Sequence, residues 1–94
     1  MISIEIQVEN PSGLHARPAT LFTEAAAGFQ SRITVENIDR GSRAVDAKSI
    51  LMLLTIGVVS GHRIRISADG PDAEAAVETL RELVATGLGE AAEG

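Results

Sequence analysis

The sequence predicts an α+β fold, a four-stranded antiparallel sheet with three helices on one face, in the order β-α-β-β-α-β-α. Three observations lead there. ISIEIQV (2–8) and HRIRISA (62–68) alternate apolar and polar residues, the mark of strands with one buried face rather than the all-apolar strands of a parallel sheet. The segments beginning at Leu14 and Asp72 repeat apolar residues every three or four positions, as a helix with one buried stripe does. The 94 residues suffice for one packed core, and with no cysteine the fold must stand on that core without disulfides.

In chain order, Ile2, Ile4, Ile6 and Val8 form the buried side of the first strand. Leu14, Pro18, Leu21, Phe22, Ala25 and Phe29 line the first helix, closed by Gly28. RITVENI and SRAVDAK flank the turn-rich DRG at 39–41 and predict a hairpin. SILMLLTIG (49–57) predicts a short helix capped by Ser49 and apolar on every side. Ile64, Ile66 and Ala68 face inward from the last strand. The last helix runs from Asp72 to Thr86, with Pro71 in its first turn, Gly87 past its end and Ala76, Val77, Leu80, Leu83 and Val84 on one stripe. Residues 1–88 read as a single domain, and 89–94 as a flexible C-terminal tail.

Charge excludes some functions. Residues 1–70 hold seven acids and seven bases, so the net charge of -5 comes wholly from residues 71–94 and reads as a solvated face. With no basic stripe and two phenylalanines as the only aromatics, nucleic-acid binding is not expected. No basic leader opens the chain, and the longest apolar run (50–59) is about half a membrane span, which predicts a soluble, cytoplasmic protein without membrane insertion.

The chemistry points to GLHARPAT (13–20). His15 falls where the first helix starts, and the first-turn N–H groups of Ala16 and Arg17 lack intrahelical partners, making an anion site there. The same partial positive charge disfavours imidazolium and leaves a neutral, nucleophilic nitrogen. Pro18 fits a first turn because its missing N–H has no partner to lose, and the planar fork of Arg17 suits phosphoryl oxygens. Transient phosphorylation of His15 uses all of these features; a capping histidine beside a solvated arginine is the plainer alternative. No metal site is expected, because His62 is the only other imidazole and no carboxylate stands at ligand spacing.

GLHARPAT, KSILMLLTIG and SGHRIRISADG resemble, in order and over nearly the whole chain, the corresponding segments of HPr, the histidine-containing phosphocarrier family of the sugar phosphotransferase system. The resemblance implies an open-faced β-sandwich. It implies that His15 accepts a phosphoryl group on Nδ1 from phospho-enzyme I, charged by phosphoenolpyruvate, and passes it to a histidine of an enzyme IIA domain, with Arg17 contacting the group. It implies a monomeric carrier without cofactor, rather than an enzyme. Ser49 matches the family's regulatory serine, which in some bacteria is phosphorylated by an HPr kinase/phosphorylase to make a co-regulator of transcription; as an N-cap it is worth roughly 1 kcal/mol. Partner docking is implied on Ala16, Arg17, Thr20, Ile50, Leu51 and Leu54, with Leu53 and Ile56 expected to point inward.

Two departures from the family pattern stand out. The hairpin between ITV and AKS is longer, a cheap change in a turn. Glu24, Ala27 and Met52 stand where lysines are common, which predicts docking dominated by apolar contact. The cargo stays open, including nitrogen-regulatory and dihydroxyacetone-linked branches of the system. A regulatory interaction module of the same fold is the alternative from another class, and the presence of His15 argues against it.

Overall fold

The computed structural model describes residues 1–90. The elements are β1 (Ile2–Gln7), α1 (Ala16–Ala27), β2 (Arg32–Asn37), β3 (Val45–Asp46), α2 (Ile50–Thr55), β4 (Arg63–Asp69) and α3 (Ala73–Ala85). They follow the expected order. The four strands form one antiparallel sheet in the order β1-β4-β2-β3, so the N-terminal strand pairs with the last one and β4 and β2 are the inner strands.

The pleat explains the alternation in the sequence. Ile33 and Val35 of β2 and Ile64, Ile66 and Ala68 of β4 are buried on one face, under α1 and α3, together with Phe22, Val77 and Leu80. On the other face Arg65 stands opposite Glu5 on one side and Glu36 on the other, 2.9 Å from each carboxylate. Such exposed pairs add little to stability, but their charges keep this face wet.

Several boundaries differ from the sequence-based expectation. α1 stops at Ala27, leaving Phe29 in the following turn, half-buried against the core. β3 has only two residues, because the outer N–H and C=O of Asn37 are taken by Ser42: its Oγ accepts from Asn37 N–H at 2.8 Å, and its N–H donates to Asn37 O at 3.0 Å. Those bonds close a turn where a longer hairpin would have continued. Pro71 precedes the α3 N-cap, Asp72, rather than lying in the first turn.

The carboxylate of Asp72 does not cap its own helix. It accepts from the N–H groups of Gln30 and Ser31, at 2.8 and 2.9 Å, and from Ser31 Oγ at 2.5 Å, tying the start of α3 to the start of β2. At the other end of α3, Leu88 is fully buried and Glu90, expected in a flexible tail, hydrogen-bonds to Asn10 and Ser12. Packing and hydrogen bonds thus continue to Glu90; residues 91–94 of the expected tail lie outside the described residues.

Candidate functional site

The site is built on the segment that carries the chain from β1 into α1. After β1, Val8 stays in register with the loop before β4, accepting from Gly61 N–H at 2.6 Å and donating to His62 O at 2.8 Å. The chain then turns at Asn10–Gly13, closed by a bond from Gly13 N–H to Asn10 O at 3.1 Å. Gly13 has φ 59, and a Cβ there would come within 2.3 Å of Val58 O, so both its handedness and its close approach require glycine. Leu14 is fully buried, and its N–H donates to Val58 O at 3.0 Å. Buried Leu14 and the close-packed Gly13 thus anchor the residue that follows.

That residue is His15, the α1 N-cap, in extended conformation with φ -126 and ψ 158. It is exposed, and its side chain makes no capping bond, so the ring is not used up by its own helix. Ala16 next to it has φ 51. A left-handed alanine costs about 1–2 kcal/mol, and such strain is often found where a fold aims a functional group. Thr20 Oγ1 donates back to Ala16 O at 3.2 Å, holding that strained carbonyl. Arg17 and Thr20 are exposed on the same first turns, whereas Pro18 and Ala19 are buried and fasten the helix start to the core.

The second candidate region adjoins the first through α2. Ser49 is its N-cap and accepts from Met52 N–H at 3.3 Å. Leu53 and Ile56 point inward as expected, while Ile50 and Leu51 are exposed, Leu51 to 75%. Leu54 is half-buried against the core rather than free at the surface. Val59, 47% exposed, adds an apolar side chain that the sequence did not single out, beside the Val58 carbonyl that holds Leu14. A helix pattern ending at Gly57 gave no sign of it. Glu24 and Ala27 are exposed along α1, and Met52 is at the surface of α2.

His62 has a different occupation. Its Nδ1 faces two donors, the N–H of Val59 at 3.2 Å and the side-chain amide of Asn37 at 3.1 Å. Because both are donors, Nδ1 is the acceptor and the proton sits on Nε2. Fully buried Asn37 also donates to Ile56 O at 3.0 Å, so this imidazole belongs to a polar tie between the β2 end, the α2 end and the loop before β4.

A family model described as the PTS HPr component phosphorylation site matches residues 2–86. The chain belongs to the HPr family. HPr of Thermoanaerobacter tengcongensis, solved as HPr-C-His, superposes with a TM-score of 0.91 at 39% identity, covering 98% of this chain and 100% of that one. The phosphocarrier protein HPr of Bacillus anthracis gives 0.82 at 36% identity, over 88% and 95% of the two chains. The multiphosphoryl transfer protein of Salmonella typhimurium is 40% identical over 92 residues, 98% of this chain but 24% of its own length. This chain thus spans about a quarter of that relative's length. The expected open-faced arrangement of sheet and helices is the fold of these HPr structures, and the chain is of a phosphotransferase-system carrier family.

Proposed function

We propose that this chain relays a phosphoryl group through His15, from the phosphohistidine of enzyme I to a histidine of an enzyme IIA domain. The observation that carries this reading is an exposed imidazole at the N-cap of α1, with no capping bond and an exposed Arg17 two residues on. In the transfer, the bond from Nδ1 of His15 to phosphorus forms as the donor nitrogen's bond to phosphorus breaks, and the electron pair stays on the donor imidazole. Arg17 and the first-turn N–H groups of α1 face the phosphoryl oxygens. The relation to a multiphosphoryl transfer protein supports partner domains that exchange the group.

A sparse site suits a carrier. Each ~1.4 kcal/mol by which the protein stabilises its phosphorylated form, unless recovered in the transition state, slows onward transfer about tenfold. One arginine and a few backbone donors on an open surface hold the group modestly and leave the partner to complete the site.

Incubation with phosphoenolpyruvate and a general enzyme I, followed by intact-mass measurement, tests the reading. The wild-type chain gains one acid-labile, alkali-stable phosphoryl group. His15→Ala gains none while remaining folded, and His62→Ala is phosphorylated normally because Nδ1 of His62 is committed to Val59 and Asn37. Phosphorylation of His15→Ala would overturn the assignment.

Ser49 supports a second, regulatory reading, phosphorylation by an HPr kinase/phosphorylase. A phosphate on Ser49 lies at the first-turn N–H groups of α2, where the hydroxyl already accepts from Met52, so the fold tolerates it and the effect falls on partners. Ser49→Asp stays folded and accepts from enzyme I more slowly; an unchanged rate would leave the serine as a cap alone.

A further inference from the structure

We propose that Glu90 is a positioning residue for phosphoryl transfer: its carboxylate holds the Asn10–Gly13 turn from which His15 is aimed. The inference rests on the His15 reading above and adds a residue more than seventy positions away in sequence.

The contacts are specific. Oε1 of Glu90 accepts from the N–H of Ser12 and from Nδ2 of Asn10, both at 2.9 Å, and Oε2 accepts from Ser12 Oγ at 2.7 Å. Asn10 is almost fully buried, and its Nδ2 also donates to Gly13 O at 2.9 Å. Reversing that amide would set its oxygen against two acceptors, so the orientation is fixed. The carboxylate therefore grips the turn at its start, Asn10, and at Ser12, two and three residues before Leu14 and His15. These three bonds hold the carboxyl below its ordinary range, with the Ser12 hydroxyl the largest cause, so the clasp is charged at neutral pH.

Glu90 can position because it is itself held. Leu88 is buried with its N–H on Leu83 O at 3.0 Å, Gly89 lies against Leu21 of α1, and Glu90 N–H donates to Gly87 O at 2.9 Å. The turn before His15 is thus clamped between two bodies: the Val58 carbonyl, bonded to Leu14, and the docked end of α3. Only the first of these is backbone. Removing the second frees the turn on one side and leaves the exposed faces of His15, Arg17 and α2 intact.

Enzyme I turnover with the intact chain as phosphoryl acceptor decides the matter, using Glu90→Gln, Ser12→Ala and the double variant. Misplacing a reacting group by a fraction of an ångström to an ångström slows reaction without weakening docking. Glu90→Gln is therefore expected to lower kcat about tenfold with KM unchanged. The double variant is no slower than the slower single one, because both break one clasp. Amide exchange at Ser12 and the ring resonances of His15 shift in the same variants. An unchanged kcat, a fall no larger than the loss of folded protein seen by circular dichroism, or a rise in KM alone overturns the proposal. Should the wild-type chain accept no phosphoryl group, the carrier reading fails by itself; unchanged Ser12 exchange and His15 resonances in Glu90→Gln would then overturn the positioning claim separately.

Discussion

At the scale of single residues, the site divides cleanly between groups that face solvent and groups that hold them there. Arg17 is exposed, and its side chain makes no hydrogen bond or ion pair among the described residues, as the proposed contact with phosphoryl oxygens requires. Arg17→Ala is expected to cut transfer from enzyme I by about tenfold or more, with the melting temperature unchanged. Equal loss of both would make it a structural arginine. Gly13 is the opposite case. A methyl group there meets the Val58 carbonyl at 2.3 Å and sits on a left-handed backbone. Gly13→Ala should therefore destabilise by about 2–4 kcal/mol in urea unfolding, strain and clash together. It should also slow transfer in whatever molecules remain folded, since Leu14 and His15 follow directly. A stability within about 0.5 kcal/mol of wild type would show that the loop yields more easily than its packing indicates.

At the scale of elements, α2 is a short helix with one buried side and one exposed apolar side. Leu53 and Ile56 bury one side of it, and the Ser49 hydroxyl caps its start, while Ile50, Leu51 and Met52 remain at the surface. Ser49→Ala should cost roughly 1 kcal/mol through the lost cap. Leu51 contributes little to the core, so Leu51→Asp should change stability by less than about 0.5 kcal/mol yet impair acceptance from enzyme I. The proposed partner surface, the exposed apolar side chains of α2 joined by Val59, has little charge of its own, and Glu24 and Ala27 add no positive charge along α1. Added salt should then alter the association rate little. A steep fall with salt, or an indifferent Leu51→Asp, would move the partner surface elsewhere.

At the scale of the whole molecule, two carboxylates join distant parts of the chain, and both respond to acid with the same sign. Asp72 ties α3 to the start of β2, and its pKa is held below the ordinary range, first by the Ser31 hydroxyl and then by the Gln30 N–H. Glu90 joins the end of α3 to the turn before α1 and is likewise lowered. A carboxyl with a depressed folded pKa stabilises the fold fully above its unfolded value, and that contribution is lost as pH falls through the folded one. Stability should therefore decline on acidification below the ordinary carboxylate range. Asp72→Asn should be less stable at neutral pH and show a shallower decline in thermal melts taken across that range. An identical slope would mean that the Asp72 tie carries no linkage.

The sequence by itself determined the secondary structure order, the antiparallel sheet with helices on one face, and the histidine on which the proposed function turns. These follow from local rules: period two in ISIEIQV and HRIRISA, period three to four in α1 and α3, and a histidine and proline at a helix start. Tertiary structure alone decided which strand lies between which, because the inner place of β4 depends on pairing with the N-terminal strand, where Gln7 meets Arg63 and Ile2 meets Ala68, as well as with β2. It also set Ala16 at positive φ, left Leu54 half-buried, committed His62 to Asn37 and Val59, and brought Glu90 onto Asn10 and Ser12. None of these could be read locally. A side chain's periodicity reports which way it points along its own element, whereas its hydrogen-bond partner and its strain are imposed by segments that meet it only once the core has formed.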